Sequence, residues 1–98
     1  MSYLVFCIFE LRTPRREDYL YAYADLAKLG MKRVVKADDG RSISIPANAV
    51  VGSFAGKSAN AVRSSIVRSV QDLFKSRDYT GDFFVVVSAD WACGGGSN

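Results

Sequence analysis

Residues 3–9 (YLVFCIF) open the chain as an unbroken apolar run, which Glu10, Arg12, Thr13 and Pro14 then interrupt. A short stretch this rich in β-branched and aromatic side chains predicts a central strand buried on both faces. Thr13 and Pro14 offer an N-cap and a first helical residue, and Glu17 and Asp18 place negative charge where the helix dipole favours it. Tyr19, Tyr23 and Leu26 recur at three- and four-residue spacing, with Ala22 and Ala27 at their flanks, and Gly30 supplies the stop.

A strand follows over 31–36, centred on Val34 and Val35, and the Ala37-Asp38-Asp39-Gly40 stretch turns it. Residues 41–45 alternate with period two but meet Pro46, so they read as an irregular edge; the next full strand falls within 48–54. From 58 to about 75, Ala59, Val62, Ile66, Val70 and Leu73 form one helical stripe, broadened by Phe74. Ser64, Arg68, Gln71 and Lys75 form the wet side. A turn at 77–81 leads into a last buried strand, 82–88 (DFFVVVS). Residues 1–92 then make one domain, and 93–98 make a glycine-rich tail expected to be flexible.

This order, strand-helix-strand-strand-helix-strand, predicts an α+β fold: a ferredoxin-like βαββαβ sandwich whose four-stranded antiparallel sheet carries two helices on one face. The bare face of such a sheet, and more apolar side chains in FFVVV than one face can use, predict a homodimer.

Composition narrows the chemistry. Ninety-eight residues, 49% hydrophobic and 23% charged, suit a single soluble core. No apolar run is long enough to span a membrane and the opening residues lack a secretory pattern, so no membrane partner and a cytoplasmic location are expected. With no histidine, the usual near-neutral proton shuttle and commonest metal ligand are missing. Cys7 reads as a core hydrophobe and Cys93 as the more exposed thiol. The net charge of +3 permits a polyanionic partner.

The first strand YLVFCIFEL, the VVKADDG strand and turn, and AVVGSF before the helix SANAVRSSIVRSVQDLF give the chain its likeness. It resembles the small ferredoxin-like family of CRISPR-associated spacer-acquisition nuclease subunits and related antitoxin endoribonucleases. The resemblance implies a metal-binding acid at the end of the first strand, doubled across a dimer. Glu10 stands there in place of the family's shorter aspartate. It also implies RNA handling by basic residues early in the first helix, here Arg15 and Arg16.

Read from the residues, Glu10 is the only acid directly attached to the first strand, and two copies could hold Mg²⁺ and activate water against a phosphodiester. Asp38 and Asp39 belong to the turn, and Asp90 stands apart. Arg12, Arg15 and Arg16 cluster at a helix start, where their charge opposes the dipole, and their forks match phosphate. Tyr21 points away from the packing stripe and could meet a base or a protein; Arg68 adds a further cation. Three functions stay open. One is a nucleic-acid-associated or protein-interaction module of a bacterial or phage regulatory system, with single-stranded RNA or a protein as partner and no cofactor. The second is a metal-dependent endoribonuclease using paired Glu10 and Mg²⁺. The third is a small-ligand-binding domain. The stretch GSFAGKS is one residue short of a phosphate loop, so Gly56 reads as a turn, Lys57 as a solvated side chain and Ser58 as a helix cap.

Overall fold

The computed structural model describes residues 1–37 and 39–96. Seven elements follow in order: β1 (Ser2–Leu11), α1 (Asp18–Lys28), β2 (Val34–Lys36), β3 (Ser42–Ser44), β4 (Ala49–Ala55), α2 (Ala59–Ser76) and β5 (Gly81–Ser88). The domain is α+β, and its strands divide into a three-stranded antiparallel sheet, β4-β1-β5, and a two-stranded hairpin, β2-β3.

The expected single four-stranded sheet is therefore corrected. Its second strand touches β4 at one bridge only, where the Lys32 N–H donates to the Val51 carbonyl at 2.7 Å and the Val51 N–H returns a bond at 2.8 Å. Continued pairing would carry the ladder from Val51 to residues 46–48, and the backbone there refuses it. Asn48 adopts φ 72°, its carbonyl accepts from the Phe9 N–H at 2.9 Å, and its N–H is taken by the Tyr23 hydroxyl at 2.7 Å. Pro46 has no N–H to offer. The strand turns away and pairs with β3 through Val35 and Ile43. Asp39 sits in the turn between them and binds Arg41 at 2.7 Å; Asp38 lies outside the described residues.

Side chains of β1 alternate. Tyr3, Val5, Cys7, Phe9 and Leu11 are buried, whereas Ile8 and Glu10 are exposed and Leu4 and Phe6 half-exposed. The buried row joins Ala22 and Leu26 of α1, and Val62, Ile66, Val70 and Phe74 of α2, in one core. Both helices thus cover the same face. With extents of 38 × 37 × 18 Å the molecule is flat, and its three-stranded sheet lies under one helical layer. Within the single chain the described residues cover only one face of β1, so the two-sided burial expected of it is not supplied by its own fold. β5, expected to be buried, is an edge strand, with Phe84 63% and Val86 46% exposed.

Helix α2 follows its sequence pattern: Ser58 caps it by accepting from the Ala61 N–H at 3.0 Å, and the predicted stripe faces inward. Helix α1 starts at Asp18, later than Thr13-Pro14 suggested. Thr13 takes φ 43°, a left-handed conformation outside helical geometry. Asp18 instead folds its carboxylate back onto the Arg15 N–H at 2.7 Å and closes a separate turn. Gly30, at φ 104°, ends α1, and the Met31 N–H reaches back to the Leu26 carbonyl at 2.9 Å. Close approach of α1 to β4 needs a glycine at 52, since a Cβ there would stand 2.2 Å from the Gly30 carbonyl oxygen. No helix among the described residues is long and apolar enough to cross a membrane.

Candidate functional site

Two loops meet at the end of the sheet where β1 finishes and β5 begins. The first, 12–17, leads into α1; the second, 77–80, leaves α2. The Arg12 N–H donates to the Thr80 carbonyl at 2.8 Å, and the Tyr79 hydroxyl donates to the Asp18 carbonyl at 3.1 Å, so the loops are stitched together. Tyr79 is also edge-on to Phe74 at 5.9 Å, which anchors it to the core. Two contiguous hollows lie between the loops, of about 460 and 380 Å³, sharing Arg15, Asp18, Arg77 and Tyr79.

Four arginines ring these hollows: Arg12, Arg15, Arg16 and Arg77. Arg12 pairs with Asp82 at 3.1 Å, an exposed contact that water weakens. Arg15 reaches the Asp18 carboxylate at 3.4 Å, and that carboxylate is the one buried charged group of the described residues. Arg77 donates from Nε and Nη2 to the two oxygens of Asp25 at 2.7 and 3.1 Å. These bonds hold the Asp25 carboxyl below the usual carboxylate range and push Arg77 still higher than ordinary arginine. Arg16 makes no ion pair among the described residues.

Tyr21 completes the rim. Its hydroxyl donates to Glu17 at 3.0 Å, the main cause of its raised pKa, so the phenol stays neutral well above physiological pH. The Arg77 guanidinium lies over its ring, 5.1 Å from the centroid. Of the residues singled out from the sequence, the structure brings Arg12, Arg15, Arg16 and Tyr21 to this one cleft. Arg68 stays exposed on α2 and lines none of it. Arg77 and Tyr79 were missed: they read only as turn residues, and the packing of α2 that carries its C-terminal loop beside α1 leaves no local pattern.

Glu10 belongs elsewhere. It lies on the helix-free face, directly across the β1–β5 ladder from Asp82, at the rim of a hollow of about 360 Å³ that includes Ile8, Phe84 and Asn48. Among the described residues no group of three ligating side chains gathers at Glu10 or elsewhere. The same sheet face continues through Ile8 and Phe84, then Phe6 and Val86, as a contiguous apolar surface.

Comparison with known proteins yields no matching family model and no curated protein with significant similarity.

Proposed function

We propose that this chain is a small dimeric module that binds single-stranded nucleic acid through the cleft between the β1–α1 and α2–β5 loops, as part of a bacterial or phage regulatory system. The observation that carries it is the convergence of Arg12, Arg15, Arg16 and Arg77 with Tyr21 around adjoining hollows. Guanidinium forks fit phosphate, and an exposed aromatic at the rim fits a base. In this reading the Lys32–Val51 bridge marks the fourth position of a ferredoxin-like βαββαβ sheet, shortened by the bend at Asn48. The second copy would cover Ile8, Phe84 and Val86.

Fluorescence anisotropy of a labelled single-stranded RNA, followed against salt, tests the binding. Contacts by Arg12, Arg15 and Arg16 should give a log–log slope of about −2, at roughly −0.7 per phosphate. Binding that ignores salt, or no binding at low salt, would overturn the reading.

One observation favours a second reading, a metal-dependent endoribonuclease: Glu10 faces Asp82 across the ladder, so a two-fold partner seated on this face would bring a second such pair near the first. Oxygen ligands of this kind suit Mg²⁺, whose role would be to polarise the phosphodiester and activate water. Magnesium-dependent cleavage of single-stranded RNA by the wild type and its loss in Glu10→Gln would support this reading; no cleavage, or equal cleavage by both, would remove it.

A further inference from the structure

Arg12 and Arg15 each pair with a carboxylate, at 3.1 and 3.4 Å, but the guanidinium of Arg77 is held by two bonds to one carboxylate. Two of its nitrogens are committed to Asp25, so its charge is already matched and its plane is fixed. Its Cζ lies over the Tyr21 ring, 5.1 Å from the centroid, and that ring is itself tethered through Glu17. The side chain is nevertheless 41% exposed. A guanidinium that gives two donors to one carboxylate has fewer left for a phosphate, but keeps a flat, weakly hydrated surface suited to stacking. Beside it stands Arg16, an exposed cation with no ion pair among the described residues. Both line the smaller hollow, about 380 Å³, together with Arg15, Glu17, the buried Asp18, Tyr21 and Tyr79.

We infer that this hollow is a single-nucleotide slot: an unpaired base stacks on the Arg77 plane backed by Tyr21, and its adjoining phosphate binds Arg16. The inference rests on the nucleic-acid reading above and divides the labour within it. Arg12, Arg15 and Arg16 meet the backbone, and the Tyr21–Arg77 pair meets a base. A volume near the lower end for small-molecule sites admits one nucleotide and no duplex, in which both faces of each base are already occupied. Tyr21 and Asp25 stand one turn apart on the same face of α1, so the contact that ties Arg77 to Asp25 also brings its guanidinium to the Tyr21 ring.

The test compares two 12-mers of identical charge by anisotropy at low salt, oligo(dA) and a fully abasic strand. The inference expects oligo(dA) to bind about tenfold more tightly, as stacking on a side-chain platform allows. Tyr21→Leu, at an exposed position, and Arg77→Lys should shrink that difference towards none, whereas Arg16→Gln should weaken both strands alike. Circular dichroism confirms that each variant is folded. Equal binding of the two strands by the wild type, or a difference that survives Tyr21→Leu, would overturn the slot while leaving backbone binding in place. Failure of both strands to bind would overturn the slot together with the reading it rests on.

Discussion

Cys7 and Cys93 share one small chain but meet opposite surroundings. Cys7 is wholly buried in β1, opposite Val50 and Val85, and loss of hydration pushes its thiol up to about 11; Cys93 is exposed. Because the thiolate is the reactive species, iodoacetamide at pH 8 should add one group to the native protein and two after denaturation, read by intact mass. Two rapid additions to the native protein would mean that β1 is not the covered centre of the sheet. Asp25 makes a pH-dependent contribution. Its carboxyl is lowered in the folded state, first by the hydrogen bonds from Arg77, so the stabilisation is present above the unfolded value of about 3.9 and is lost as pH falls through the folded one. The gap in Tm between wild type and Asp25→Asn should hold steady above about pH 5 and close below it. A gap unchanged at pH 3 would contradict the ion pair.

At the scale of elements, α2 was legible because everything that makes it is local. Its stripe repeats at helical spacing, and the Gly-Lys-Ser that mimics a phosphate loop resolves into a helix boundary, with Ser58 accepting from Ala61. Ser58→Ala should cost about 1 kcal/mol, visible as a lower urea midpoint with unchanged slope; an unchanged midpoint would show that the cap contributes nothing. Helix α1 was less legible at its start. Thr13-Pro14 carries a helix signal, but the Asp18 carboxylate makes its own turn with Arg15 and leaves Thr13 left-handed. The hairpin β2-β3 was hidden for another reason: pairing with β4 is ended by Asn48 and by the tyrosine hydroxyl that holds it, a contact spanning from α1.

For the whole molecule, the apolar runs of β1 and β5 signalled burial on both faces, yet only the alternate residues facing the helices are covered. Runs of this kind report how much apolar surface exists, not which partner covers it. If a second copy does so, light scattering after gel filtration should give twice the chain mass, and Phe84→Asp, placing charge at the exposed centre of that face, should give the single mass. A monomeric wild type would contradict the proposed dimer. Half of the candidate cleft was readable, since Arg12, Arg15, Arg16 and Tyr21 lie close together in sequence. The other half, Arg77 and Tyr79, arrives from the far end of α2 and is placed only by tertiary packing.

The most direct measurement of the central claim is a two-dimensional amide NMR titration of the full chain with a single-stranded 12-mer. Binding in the cleft predicts the largest shifts at 12–21 and 76–80, with little change along the exposed face of α2 at Ser64 and Arg68. Shifts centred instead on Ile8, Phe84 and Val86, or none at saturating oligonucleotide, would contradict the account.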